Sequence, residues 1–107
     1  MDIKTNNKDR CEYALIGLYN VIDPEIGLNI VDLGLLYEMN FNEEKKLLDC
    51  TMTLTTQFCP MGEAITSDTR DSLREAFEGW NIIITLVFDP PWNMNMISAK
   101  GRQYLGR

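Results

Sequence analysis

The chain has 107 residues, 45% of them apolar, which suffices for one domain with one core and is too little for two. Its net charge of -6 comes without any run of lysine or arginine, so it lacks the electrostatic footprint of a nucleic-acid binder. It contains 0 histidines, which removes Cys-His and Ser-His dyads, HExxH zinc sites and facial-triad iron sites together.

Residues 1–10 are polar and mixed in charge, with no signal-peptide core, and no later run approaches the roughly 18 apolar residues of a membrane span. A soluble, cytoplasmic protein is expected, with 1–107 forming one domain and residues 1–8 a flexible start. From Asp9 to Ile22 the apolar positions Cys11, Ala14, Leu15, Leu18 and Ile22 recur at three and four, the period of a helix with one buried stripe. Asp23-Pro24-Glu25-Ile26-Gly27 stops that helix, and a loop is expected to run to about Gly34.

Leu35, Tyr37, Met39 and Phe41 then alternate with more polar neighbours, as do Leu48, Cys50, Met52 and Leu54 after a charged turn. This spacing predicts a hairpin with one covered face and with Thr51, Thr53 and Thr55 on the other. Pro60 suits the first position of a second helix, whose stripe of Met61, Ala64, Ile65, Leu73, Ala76 and Phe77 ends at Gly79. The β-branched run from Asn81 to Phe88 predicts a strand buried on much of both faces, central in its sheet or parallel to a neighbour. It exits through Asp89-Pro90-Pro91-Trp92, and Ser98 can cap a short last helix to about Leu105, although Gly101 counts against it. The order is α-β-β-α-β-α, an α+β two-layer fold with a small mixed three-stranded sheet packed by helices.

The three cysteines form no C-x-x-C pair, and without export signals a disulfide framework is not expected. Cys11 and Cys50 fall on the apolar stripe or face of their own elements and read as core. Cys59 follows the threonine strand and precedes Pro60, so its sulfur is expected beside the unpaired amides of a helix start, which favours thiolate. There the amides of Met61 and Gly62 are the available donors, and Gly62 has no side chain to block a bulky inorganic group. Glu63 opposes the effect with its own charge. Asp23, Glu25 and Asp32 read either as a carboxylate site near Cys59 or as turn and cap chemistry. Trp92 reads as cover for the core edge or, with Met94, as an apolar partner surface; Met94 and Met96 make poor metal ligands.

Asp23-Pro24-Glu25-Ile26, Asn29-Ile30-Val31-Asp32-Leu33-Gly34-Leu35, Met52-Thr53-Leu54-Thr55, Cys59-Pro60-Met61 and Val87-Phe88-Asp89-Pro90-Pro91-Trp92, in this order and spacing, resemble the MIP18 family, also called the domain of unknown function 59. The resemblance covers nearly the whole chain and implies a small α/β scaffold that helps mature iron–sulfur proteins. It assigns the reactive cysteine to Cys59, and it implies that Asp23, Glu25, Asp32 and Thr55 or Thr56 line the pocket around that sulfur. Gln57-Phe58 stand where many members carry a Pro-Gly type turn, and the extra C-terminal cysteines of the PaaD branch are missing, which points to a SufT-like role.

A cluster usually takes about four protein ligands, whereas this chain offers one credible accessible thiolate. Two Cys59 thiolates could meet in a homodimer, or Cys59 could ligate iron or a cluster transiently while a partner supplies the rest. No tightly bound cofactor and no catalytic activity are expected, and the partners implied are assembly machinery and apo-clients. The alternatives are a thiol enzyme with Asp23 or Asp32 as base, and a metal-free client adaptor working through Trp92 and Met94.

Overall fold

The computed structural model describes residues 3–56 and 62–106. The elements are β1 (Lys4–Thr5), α1 (Lys8–Leu18), α2 (Ile30–Leu33), β2 (Leu36–Asn42), β3 (Leu47–Met52), α3 (Gly62–Ala76), β4 (Asn81–Leu86) and α4 (Ala99–Tyr104), with a 3-10 turn at Met94–Met96. Asn7 starts α1 by accepting the Arg10 amide on its side-chain oxygen at 3.1 Å, a cap worth about 1 kcal/mol. Cys11, Ala14 and Leu18 form its buried stripe. The helix ends before the expected Ile22 because Val21 takes the next core position, while Ile22 is exposed and makes an isolated bridge to Asn29.

The strands form a sheet in the order β1-β2-β3-β4, with β1–β2 and β3–β4 parallel and β2–β3 antiparallel. The sheet is mixed, as expected, but has four strands rather than three: Lys4 and Thr5, inside the stretch expected to be flexible, pair with Glu38 and Met39. Two residues carry no period to read. The hairpin turns through Lys46 at φ 50, with the Lys45 amide bonded to the Asn42 side chain.

Helices α1 and α3 pack on one face, where Met39, Phe41, Leu48, Cys50, Met52 and Ile82 meet Leu18, Ile65 and Leu73. One end of this layer closes on edge-to-face contacts of Phe77 with Tyr13 and Phe41, and Arg10 stacks 5.0 Å from the Trp80 ring centre. Arg10 also bonds Glu43 at 2.7 Å, but at such exposure the pair adds little. The other face presents Glu38, Asp49, Thr51 and Thr85, the last donating to Asp49 at 2.9 Å.

Three expectations fail for identifiable reasons. A register shift at Leu36/Glu38 breaks the alternation, so Leu36 is buried and Tyr37 only half-buried. Beyond the end of β3 the Thr53 amide donates to the Leu35 carbonyl at 2.8 Å, and Thr53 is buried rather than on the polar face with Thr51. The β-branched run is parallel to its neighbour, one of the two placements expected, but it ends at Leu86, lies at the sheet edge and is not buried on both faces: Ile82 is buried, whereas Ile83 and Leu86 are 42% and 41% exposed. Residue type alone cannot tell an apolar edge from a central strand.

Candidate functional site

Cys59 and Pro60, with the helix start predicted for them, lie outside the described residues. The structure describes what flanks them. Thr55 is half-buried and Thr56 exposed beyond β3, and Gly62 opens α3. Gly62 is buried with Leu54 against it, so that a Cβ there would come within 2.7 Å of the Leu54 Cδ1 atom. Its missing side chain therefore has a packing reason on the helix side of the sheet.

Between α1 and β2 the chain folds back on itself. The Asp23 amide donates to the Leu28 carbonyl and the Ile30 amide to the Val21 carbonyl, while the Asp23 carbonyl receives Gly27 at 2.7 Å. The buried Asp23 side chain accepts the Glu25 amide at 2.9 Å, and Glu25 itself is exposed. This is the Asx-turn use of an aspartate, which satisfies backbone donors in a segment too short for its own ladder.

The stretch expected to continue as loop is instead a turn of helix, α2. Asn29 caps it, taking the Asp32 amide on its side-chain oxygen at 2.8 Å and giving its own amide to the Asp32 carboxylate at 2.7 Å. The reciprocity resembles a capping box built from two side chains. Gly34 ends the turn at φ 79, the left-handed C-cap that glycine adopts without a Cβ penalty, and a Cβ there would also run into the Met96 carbonyl.

The C-terminal segment then clamps α2 from outside. The Trp92 indole donates to the Leu33 carbonyl at 2.7 Å, the Ser98 hydroxyl to the Asp32 carboxylate at 2.8 Å, and the Ser98 amide to the Asp32 carbonyl at 2.8 Å. Ser98 also caps α4 by accepting the Gly101 amide at 2.9 Å. The glycine that counted against this helix is what lets it approach: a Cβ on Gly101 would sit 2.9 Å from Ile97 and 3.2 Å from the Asp32 Cβ.

Two of the motifs thus meet directly, Asn29–Gly34 with Trp92, through contacts that are structural in kind. Asp32 is 7% exposed with both carboxylate oxygens bonded, Oδ1 to Ser98 and Oδ2 to Asn29. Trp92 is half-buried against the core, and Met94 is 47% exposed on the 3-10 turn, its carbonyl 3.4 Å from the Arg102 guanidinium. Sequence reasoning missed Ser98 as the partner of Asp32. Its capping signal was legible, but the contact spans too many residues for any local pattern.

Cys11 and Cys50 are buried, as their faces implied. Burial pushes both thiols up, Cys50 from 9.0 to about 12 with a further push from Asp49, and Cys11 against an opposing hydrogen bond from Thr5. A thiol held this high is a poor ligand or nucleophile at neutral pH. Among the described residues no group of three or more Cys, Asp or Glu is placed to hold a metal ion, and no helix is long and apolar enough to cross a membrane.

A groove of about 720 Å³ opens on the far face of the sheet between Glu38, Thr51 and the segment from Pro90 to Arg102. Tyr37 borders it, donating to the Pro90 carbonyl at 2.8 Å, and burial raises its phenol above the usual range. None of Asp23, Glu25, Asp32, Thr55, Thr56, Gly62, Trp92 or Met94 lines this groove.

A family model described as "Iron-sulfur cluster assembly protein" matches residues 17–83. The chain is 41% identical over 88 residues to the Fe-S protein maturation auxiliary factor SufT of Staphylococcus aureus, covering 80% of this chain and 97% of that protein. It is 35% identical over 95 residues to the Fe-S protein maturation auxiliary factor YitW of Bacillus subtilis, covering 89% and 92%. Among solved structures, a domain of unknown function DUF59 from Bacillus anthracis superposes with a TM-score of 0.85 at 33% identity, over 92% of this chain and 93% of that one. A conserved hypothetical protein of Thermotoga maritima follows at 0.76 and 34%, over 100% of both chains. With the family model, the curated relatives and the fold in agreement, the chain belongs to the MIP18 family of iron–sulfur cluster assembly proteins, the domain of unknown function 59.

Proposed function

We propose that this protein is a cytoplasmic maturation factor for iron–sulfur proteins, in which Cys59 transiently ligates iron or a cluster as cargo and passes it to client proteins. The observation that carries the reading is its identity, over nearly their full length, to bacterial proteins named as Fe-S protein maturation auxiliary factors. Further support comes from the other two thiols, which are buried and pushed up in pKa. In ligation the Cys59 thiol gives its proton to solvent and its sulfur bonds iron. In handover a client thiolate replaces that sulfur, and no electron need move. A cluster takes about four ligands, so a chain with one working thiol shares its cargo with a partner, and the weak hold favours release.

In this reading Asp23, Glu25, Thr55, Thr56, Pro60 and Gly62 shape the segment that carries Cys59, and Asp32 acts through the clamp on α2. Trp92 and Met94 belong to the surface met by assembly machinery or apo-clients. Anaerobic reconstitution with iron and sulfide, wild type beside Cys59→Ser, tests the assignment. Charge-transfer absorbance in the wild type that disappears in the serine variant is expected. Absorbance that survives in Cys59→Ser overturns the ligand role, and turnover of a thiol-reactive substrate by the wild type makes the protein an enzyme. Capture of the same clients by both variants, with metal on neither, makes it an adaptor.

A further inference from the structure

The two edges of the sheet are treated differently. On one side β2 is covered by the two-residue β1, which carries Lys4. Beyond it the Asn6 side chain takes the place of a strand, donating to the Phe41 carbonyl and accepting the Phe41 amide, both at 2.8 Å. A short strand and a lysine are among the usual means of blunting an edge, and the Asn6 side chain occupies the Phe41 backbone pair besides.

Among the described residues the β4 edge has none of them. From Asn81 to Phe88 the sequence Asn-Ile-Ile-Ile-Thr-Leu-Val-Phe carries no charge and no proline. The Asn81 and Val87 amides donate to Lys46 and Met52 at the β3 side, so the alternating backbone of Ile82, Ile84 and Leu86 points outward. Those outward amides and carbonyls have no partner among the described residues. Ile83, Leu86 and Phe88 beside them are 42%, 41% and 38% exposed.

We propose that β4 pairs antiparallel with β4 of a second copy of this chain about a twofold axis at Ile84, joining two sheets into one. Centred there, Ile84 faces Ile84 of the other copy, Ile82 faces Leu86, and Ile83 faces Thr85. The outward groups of Ile82, Ile84 and Leu86 then bond reciprocally, about six hydrogen bonds in all. The same register covers the exposed Leu86 with Ile82 and carries the exposed Phe88 toward Trp80. A second copy fits better than a charged or mixed partner, because the strand has no charge to be matched and none to repel its own image. Assembly stops at two, since the outer edges of the joined sheet are both the blunted β1 side.

Sedimentation equilibrium over rising concentration is expected to give the mass of two chains, with Ile83→Lys and Leu86→Lys each losing the dimer while keeping the wild-type circular dichroism. The register is read by disulfide trapping in a Cys59→Ser background. Ile83 and Thr85 form a non-hydrogen-bonded pair, whose Cα separation of about 4.5 Å admits a disulfide. Mild oxidation of Ile83→Cys mixed with Thr85→Cys is expected to give a cross-linked dimer that neither variant gives alone. Wild type that stays monomeric at the highest soluble concentration, or a mixture that cross-links no better than its components, overturns the proposal. So does a monomer whose Ile82, Ile84 and Leu86 amides become protected from exchange only when a client chain is added, which would give the edge to the client.

Discussion

Asp32 lies in a family motif, and its contacts allow its structural role to be separated from a chemical one. Replacing it with asparagine keeps an oxygen for the Ser98 hydroxyl but turns an amide donor toward the Asn29 amide donor, which now gives a 2.7 Å bond to the carboxylate. Asn29 cannot flip to relieve this, because its oxygen caps the Asp32 amide at 2.8 Å. One lost bond and two opposed donors at a site 7% exposed predict about 2 kcal/mol of destabilisation for Asp32→Asn. Asp32→Ala, which leaves both Asn29 and Ser98 without their acceptor, is expected to cost about 3 kcal/mol. Asn29→Ser keeps a capping oxygen and removes the opposed amide, so in the Asp32→Asn background it should restore about 1 kcal/mol. Urea denaturation of wild type, Asp32→Asn, Asn29→Ser and the double variant forms a double-mutant cycle, and Asp32→Ala is measured beside it. If Asp32→Asn is as stable as wild type, or Asn29→Ser makes it worse, the reciprocal cap is not what Asp32 provides. Full stability with lost maturation activity would make it a site residue instead.

Gly34→Ala is expected to cost more than about 2 kcal/mol in the same assay, since it adds a left-handed penalty of about 1–2 kcal/mol to a collision with the Met96 carbonyl. Trp92→Phe keeps an aromatic ring but a smaller one and loses the bond to Leu33, predicting at least about 1 kcal/mol and increased amide exchange in α2. Cys50 gives a pH dependence. Its folded thiol is pushed from 9.0 to about 12, so the unfolded chain ionises first, and its contribution, intact below pH 9, is lost as pH rises toward 12. The slope approaches about 1.4 kcal/mol per pH unit and should be shallower in Cys50→Ala; equal slopes would contradict the assignment. In native protein at pH 8, iodoacetamide is expected to leave Cys11 and Cys50 unmodified while both react in urea, as read by peptide mass.

The elements that sequence alone makes legible are those whose evidence is periodic and local. The stripe of α1, the hairpin with its polar turn and the capped α4 follow from spacing and from Asn7, Ser98 and the charged turn between β2 and β3. What was not legible depends on partners distant in the chain. β1 exists because Glu38 and Met39 offer an edge, and α2 because Asn29 and Asp32 cap each other while Met96 leaves room only for a glycine. The position of β4 at the edge is a matter of topology, to which its composition is blind. Of the candidate site, the burial of Cys11 and Cys50 was readable from their faces, and Asp23 and Asp32 were readable only as two alternatives. Their carboxylates are hydrogen-bonded in a turn and a cap, Asp23 to the Glu25 amide and Asp32 to Asn29 and Ser98.

Under the proposed function these structural roles would bear on Cys59 through the chain on either side of it. Trp92 and Ser98 fix α2 through Leu33 and Asp32; α2 passes through Gly34 into Leu35, whose carbonyl holds the Thr53 amide. From Thr53 the chain continues to Leu54, and the Leu54 side chain lies against Gly62. A continuous set of hydrogen bonds and packing contacts therefore runs from the C-terminal segment to both residues that bracket 55–61. In the proposed reading that arrangement would connect motifs far apart in sequence: a sulfur that binds its cargo weakly would gain from a segment whose ends are held rather than from extra ligands. Rigid anchoring of such a segment would lower the ordering cost of each encounter without strengthening the bond to the cargo. On the proposed function, Asp32 and Trp92 would act by positioning that segment, and the exchange itself would fall to Cys59.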